Sequence, residues 1–285
     1  NGTIDVIEEI SPAINSGVEY AAVETEELVL HYDARSEKSY DPVGMGTVVY
    51  EQASTGYGYT AYLKGDRVSY SSAEKAWEFT GTSVAQEQGI YVDKLHYVTG
   101  SEDEIPHLTI EAWIKANSTG TGRTNDERII LSFDRSAVFR FGVGAEQQAG
   151  SAGKLCFSFT NRDGANNTEQ TNDTFDTSST VNLRDNNWHQ VAVTFDSEQD
   201  FDSHGPGSSG GDTDVNLLGI GNTISKITYY IDGNVTHEIN GSGGVGGVGT
   251  AHSPIGSHDE VETPRYGWIA NGSEALSAGS TTGTN

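Results

Sequence analysis

Apolar and polar residues alternate along several short segments of this chain, with the period of two that is typical of β-strands. The two clearest segments are residues 108–115 and 188–196. In the second, Val191, Val193 and Phe195 are predicted to share one face, and the residues between them the other. No segment shows a convincing helical period. The pattern therefore predicts a chain built from strands.

Further strands are predicted wherever short runs of β-branched, aromatic or aliphatic residues lie between turn signals. These are residues 28–32, 47–50, 59–63, 76–79, 89–92, 128–133, 137–143, 154–160, 227–231 and 235–239. Residues 28–32 carry apolar side chains on both faces. Residues 64–66 are predicted to form a hairpin tip. Asp232-Gly233 is a second predicted hairpin, because both residues tolerate positive φ.

Roughly a dozen strands without a helix predict an all-β fold, an antiparallel β-sandwich or jelly roll. We expect residues 1–26 to form an N-terminal arm or linker and residues 27–285 to form the sandwich. Residues 197–225 are rich in Gly, Asp and Ser and are predicted to be an inserted loop, since they are too many for a plain hairpin turn. The start at Asn1 and the end at Asn285 lead us to expect a piece of a longer polypeptide.

One face of each strand must be buried for a sandwich to be stable. Nine residues are therefore predicted to line the space between two sheets: Ile110, Ala112, Ile114, Val191, Val193, Phe195, Ile227, Tyr229 and Ile231. Truncating Val193 or Ile231 to alanine is expected to cost more stability than any single change in residues 203–214.

Three segments in this order, residues 108–115, 188–196 and 227–233, resemble the laminin-G/concanavalin A-like domain. They contain Glu-Ala-Trp, Trp-His-Gln-Val-Ala-Val-Thr and Tyr-Ile-Asp-Gly. Upstream, residues 28–34 with Ser39-Tyr40 resemble the opening strand of versions found in virion proteins of marine phages, and residues 255–257 also resemble the family. The resemblance covers roughly residues 27–270 and implies a β-sandwich, whereas the fold by itself hosts many functions.

Two departures from the family pattern matter. Residues 80–83 read Thr-Gly-Thr-Ser where the family often carries an acidic turn, which weakens any calcium site implied by the resemblance. The closing strand is not recognisable, and residues 266–270 are interpreted as its remnant.

The charge excludes one class of function. There are 41 Asp and Glu against 16 Lys and Arg, for a formal net charge of −25. Such a surface repels nucleic acid, because binding phosphates requires clustered cations. No apolar run is long enough for a membrane span. The single cysteine, Cys156, lies in a predicted strand and is expected to be a buried, inert thiol.

No catalytic residue is predicted, and the chain is expected not to be an enzyme. Residues 198–202 have the spacing of a glucanase carboxylate pair but lie in a loop. The GxGxxG at residues 244–249 and the GxSxG at 207–211 lack a following helix. No cofactor is expected, and a calcium site stays an open alternative, with Asp200, Asp202, Asp212 and Asp214 as the best cluster.

Three residues in the family motifs have two interpretations each. Trp113 and Trp188 are either sugar-stacking platforms or core residues, and the pattern leaves this open. His189 is expected to have a structural role rather than to bind a metal.

The leading functional hypothesis is a non-enzymatic structural or adhesive module of a phage virion: a capsid decoration, outer capsid or fibre protein. Its partners would be other virion proteins or copies of itself, and its location the virion surface or another extracellular site. The alternative is a lectin-like module that binds host surface glycans. A glycosidase ranks last.

Overall fold

The structure is a computed structural model that describes thirteen stretches of the chain. These are residues 28–53, 58–66, 68–80, 89–92, 105, 107–117, 128–133, 139–144, 152–163, 168–196, 226–240, 255 and 267–270. Within them the secondary structure is β-strand with no helix, and all strand pairs are antiparallel. The prediction of an all-β antiparallel sandwich is confirmed.

The largest sheet has eight strands in the order β1-β2-β5-β14-β7-β8-β9-β10. Its strands are β1 (Val48–Val49), β2 (Ala61–Lys64), β5 (Gly89–Val92), β7 (Arg128–Phe133), β8 (Phe139–Val143), β9 (Leu155–Asp163), β10 (Thr168–Phe175) and β14 (Gly267–Ile269). A four-stranded sheet has the order β13-β12-β11-β6. It contains β6 (His107–Lys115), β11 (Trp188–Asp196), β12 (Lys226–Ile231) and β13 (Asn234–Asn240). A two-stranded hairpin pairs β3 (Val68–Ser71) with β4 (Ala76–Phe79).

The four-stranded sheet packs on the half of the large sheet that contains β7 to β10. All nine predicted core residues lie in or against the resulting apolar cluster, so this prediction is confirmed. The large sheet contributes phenylalanines, and the rings of Phe159 and Phe195 meet across the core with centroids 4.9 Å apart. Burial of such side chains is the main force that holds the two layers together.

A hydrogen-bond chain crosses this apolar interior. The Thr174 hydroxyl donates to the carbonyl of Phe157 at 2.8 Å, and it lies 2.7 Å from the Tyr229 hydroxyl. A hydroxyl has one proton, and that of Thr174 is donated to the carbonyl of Phe157. The Tyr229 hydroxyl is therefore the donor of the second bond, and Thr174 is its acceptor. Burial raises the pKa of Tyr229 well above its usual range, so this phenol stays protonated and able to donate.

The other half of the large sheet is covered on the same face by a second apolar cluster. Ile269, which packs against this cluster, pairs with Leu131, which packs against the first, so the two clusters share one face. Tyr40 is central to the second cluster. Its ring lies 5.3 Å from that of Tyr70 and 5.9 Å from that of Trp77, both in the β3–β4 hairpin. The hairpin therefore completes the layer that opposes the large sheet.

Two sequence predictions of local structure are wrong. Residues 28–32 form no strand, although Val29, Leu30 and Tyr32 pack against the second cluster, so apolar side chains rather than strand pairing hold the segment in place. Residues 64–66 are not a hairpin tip. Strand β2 pairs with β1 and β5 while β3 pairs with β4, so this turn passes the chain from one sheet to another.

Other details of the prediction are confirmed or extended. Asp232 and Gly233 have φ values of 51° and 76° and join β12 to β13, as the hairpin prediction requires. Residues 266–270, interpreted as a remnant strand, contain β14, which lies between β5 and β7 in the large sheet. Strand β10 was not predicted, because its polar sequence lacks alternation. The arm at 1–26 and the loop at 197–225 lie outside the described residues.

Candidate functional site

The outer face of the four-stranded sheet carries side chains that the core does not use. Because successive residues of a strand alternate in direction, burial of Ile110, Val193 and Ile227 turns their neighbours outward. Thr109, Thr194 and Thr228 are cross-strand partners and form a row of hydroxyl-bearing residues over three strands. The next row toward the strand ends contains His107, Asp196 and Lys226.

These rows border a shallow groove with a volume of about 310 Å³. This volume is at the lower end of the range for small-ligand sites. The groove is lined by His107, Leu108, Thr109, Thr194, Phe195, Asp196, Lys226, Thr228 and Tyr230. Thr228 is buried at its floor and Tyr230 is half-buried at its side. The side chains on the outer face thus bring hydroxyls, the ring of Tyr230, one carboxylate and two basic groups to the groove, whereas the ring of Phe195 is buried in the core.

The acidic and basic side chains of the groove each lie close to a partner of opposite type. His107 Nδ1 lies 3.2 Å from Asp196 Oδ1, and Lys226 Nζ lies 2.6 Å from Glu238 Oε1. The hydrogen bond to Glu238 raises the pKa of Lys226, so the ammonium stays charged throughout the physiological range. All four side chains are between 30% and 55% exposed.

The two motif tryptophans lie on this same outer face, toward the other end of the sheet. Trp188 Nε1 donates to Glu74 Oε2 at 3.0 Å, and Lys115 Nζ donates to Glu74 Oε1 at 2.9 Å. These bonds from Lys115 and Trp188 lower the pKa of Glu74. Trp113 and Trp188 are both half-buried. Neither tryptophan belongs to an apolar core cluster. Glu74, to which the indole of Trp188 donates, lies in the turn between β3 and β4.

His189 joins the start of β11 to two acidic turns. Its Nδ1 lies 2.9 Å from Asp232 Oδ2 and its Nε2 lies 3.2 Å from Asp185 Oδ1. Asp232 also accepts the backbone N–H of Gln190 at 3.0 Å. Burial lowers the pKa of His189, but the two carboxylates outweigh it, and the net pKa lies above the ordinary value. This arrangement fits the structural role expected from the sequence.

The remaining candidates divide between described and undescribed residues. Cys156 is buried in β9, as expected. Among the described residues, no group of three or more His, Cys, Asp and Glu side chains is placed to hold a metal ion. The described residues also contain no helix that is long and apolar enough to cross a membrane. The aspartate cluster at 200–214, the acids at 198–202 and both glycine motifs lie outside the described residues.

Sequence reasoning did not single out the groove. Its residues are ordinary polar positions of three separate segments, and only the strand register shows that they are neighbours. The available signal was the polar face of β11, which carries Gln190, Thr194 and Asp196 between the buried residues.

Comparison with known proteins identifies no family. No protein-family model matches the chain, and no curated protein matches it. Among solved structures, the chain is similar to the botulinum neurotoxin serotype D/C VPI 5993 binding domain, with 13% sequence identity and a TM-score of 0.40. The match covers 79% of this chain and 46% of that chain, so this chain spans less than half of the length of that structure.

Proposed function

We propose that this chain is a non-enzymatic adhesive or structural module of a larger particle, with a phage virion as the leading candidate. The observation that carries the proposal is the open polar groove on the outer face of the four-stranded sheet. The opposite face of that sheet is buried in the apolar core. A rigid sheet with one buried and one exposed polar face is a good scaffold for a contact surface.

The electrostatics support a contact role rather than chemistry. A general acid or nucleophile at a hydrolytic site needs a carboxylate poised toward the substrate. Asp196, the carboxylate that lines the groove, is instead paired with His107, and Glu238 beside the groove is paired with Lys226. The net charge of −25 supports a place on the exterior of a particle, since an acidic surface repels the phosphates of nucleic acid.

The virion assignment draws on the sequence likeness of residues 28–34 and 39–40 to the opening strand of marine phage virion proteins, although residues 28–32 form no strand in this chain. In this chain Tyr40 lies at the centre of the second apolar cluster, so the segment has a structural purpose in the fold. Partners would be neighbouring virion proteins or further copies of the chain, at the surface of the particle.

Mass spectrometry of gradient-purified particles tests this proposal. Peptides from this chain should co-migrate with the capsid proteins at constant stoichiometry across the particle peak. Their absence from purified particles, with the chain found only in the lysate, would overturn it.

Lectin-like binding of host surface glycans is the second candidate. It is favoured by a specific observation, the presence of hydroxyls, an aromatic ring and paired charges in one groove. The two proposals are compatible, because a module on the surface of a particle can serve attachment.

A further inference from the structure

We propose that His189 is a protonation-dependent clamp at the end of the four-stranded sheet where β11 begins. As an imidazolium it joins the turn of residues 185–187 to the hairpin between β12 and β13, and as a neutral imidazole it releases that turn. The clamp lies at the opposite end of β11 from the groove, which is lined by Asp196. The inference is therefore independent of the proposed adhesive function.

The number of protons that the ring can donate carries the inference. Both ring nitrogens of His189 face carboxylate oxygens: Nδ1 lies 2.9 Å from Asp232 Oδ2, and Nε2 lies 3.2 Å from Asp185 Oδ1. An ionised carboxylate only accepts hydrogen bonds, and a neutral imidazole has a single N–H to donate. Only the imidazolium, with an N–H on each nitrogen, makes both bonds at once. The observed geometry is therefore the one that the protonated ring satisfies.

The charges around the ring come from two turns. Asp185 precedes β11, and Asp232 lies in the turn between β12 and β13. Strand β6 presents the apolar Ile114 opposite His189, while Lys115, the next residue of β6, points to the outer face of the sheet. The side chain of His189 is only 11% exposed, and this burial lowers its pKa, but the two carboxylates outweigh burial and the net pKa lies above the ordinary value. The ring is thus charged in weakly acidic solution and neutral in alkaline solution.

Deprotonation breaks the bond to Asp185 rather than the bond to Asp232. The contact with Asp232 is the shorter one, and Asp232 Oδ1 also accepts the backbone N–H of Gln190 at 3.0 Å, so this carboxylate is fixed beside the ring. Asp185 Oδ1 already accepts the backbone N–H of Asn187 at 2.8 Å. The remaining proton therefore stays on Nδ1, and Nε2 turns a lone pair toward Asp185 Oδ1. Two acceptors at this distance repel each other, because neither has a proton to share.

The released turn keeps its own structure. Asp185 accepts both the backbone N–H and the side-chain amide of Asn187, so the turn is closed without the histidine. Asn186 has a φ of 66°, and its N–H donates to the carbonyl of Ala116 at 2.9 Å, which is the bond that ties the turn to the end of β6. Arg184, just before the turn, is buried and bonded to a backbone carbonyl. The displacement is therefore confined to residues 185–187.

A pH titration of the ¹⁵N-labelled chain by NMR, between about pH 5 and about pH 9, tests the inference. Both ring nitrogens of His189 should carry a proton in acid, and above the pKa only Nδ1 should keep one. The amide signals of Asn186 and Asn187 should shift with the same midpoint. The hydrogen-exchange protection factor of the Asn186 amide should fall by about fivefold or more across this midpoint, since one charged hydrogen bond to the turn is lost. The amide of Gln190, which Asp232 holds in both states, should keep its protection.

His189→Gln and His237→Gln form a matched pair of variants. The ring nitrogens of His237, on β13, face the hydroxyls of Ser178 and Thr177, which donate as well as accept, so a neutral ring satisfies both contacts. The pH-dependent shift of residues 186–187 should disappear in His189→Gln and persist in His237→Gln.

Three results would overturn the inference. They are a proton on Nε2 instead of Nδ1 in alkaline solution, a His189 ring that does not titrate in this range, and a transition of residues 186–187 that survives His189→Gln. The first two are read from the unaltered chain, so the inference is decided even if His189→Gln does not fold.

Discussion

Val193 and Val235 form a matched pair that tests the layered core. Both are valines in the four-stranded sheet, but Val193 is 1% exposed and Val235 is 56% exposed. Val193 lies in β11 between Ile110 and Tyr229, its cross-strand partners. Truncation to alanine removes the same two methyl groups in each case. Only the environment differs.

The expected cost follows from burial. Two buried methyl groups are worth about 1.6 kcal/mol of transfer free energy, and the cavity left between packed sheets brings the total to about 2–3 kcal/mol for Val193→Ala. For a chain of this size that corresponds to a fall in melting temperature of roughly 4–10 °C. Val235→Ala should change the free energy of unfolding by less than about 0.5 kcal/mol.

Urea unfolding, followed by tryptophan fluorescence and by circular dichroism, measures both variants. The two signals should agree and the m-value should stay constant, which would show that the comparison reports stability alone. If Val235→Ala were as destabilising as Val193→Ala, the assignment of inner and outer faces would be wrong. The groove would then lose its structural basis.

Three further predictions concern bonds and backbone. Tyr229→Phe should cost about 1 kcal/mol in urea unfolding, because it deletes one buried hydrogen bond across the core and leaves the ring; no change would contradict that bond. The pKa of His189 is raised in the fold, so its ion pairs stabilise the protein below the ordinary value of 6.5 and cease to do so as pH rises through the raised pKa; the difference in the free energy of unfolding between the unaltered chain and His189→Gln should shrink as the pH rises above 6.5, and a difference that grows would refute the sign. Gly142→Ala should cost about 1–3 kcal/mol in thermal unfolding, because its Cβ would lie 2.7 Å from the backbone oxygen of Arg128; a neutral result would show that β7 and β8 separate easily.

Strands that alternate cleanly were predictable from sequence, and the reason is physical. In β11 every second residue is buried, so the alternation of residue types in the sequence matches the alternation of buried and half-buried positions in the sheet. The Asp232-Gly233 turn was equally predictable, since positive φ at two successive positions restricts which residues can occupy them. Local information was sufficient in both cases.

Pairing between distant segments was not predictable. Residues 64–66 look like a hairpin tip, yet the flanking strands join different sheets, and that choice depends on β5 and β4 rather than on the turn. Residues 28–32 have the apolar composition of a strand but pack against Tyr40 and its neighbours without pairing in a sheet. The groove was missed for the same reason, because Thr109, Thr194 and Thr228 become neighbours only through the register of three strands.

The most direct test of the adhesive account is competition for host cells. Purified chain, added in excess to cells that the particle infects, should slow particle adsorption. Chain carrying Tyr50→Ala, which removes a 46% exposed tyrosine outside the groove, should slow it equally. Chain carrying Tyr230→Ala should compete at least about tenfold less well, since Tyr230 supplies the aromatic ring of the groove on which the lectin-like candidate depends. Equal competition by Tyr230→Ala, or no competition by the unaltered chain, would contradict the claim that this face of the sheet makes the contact.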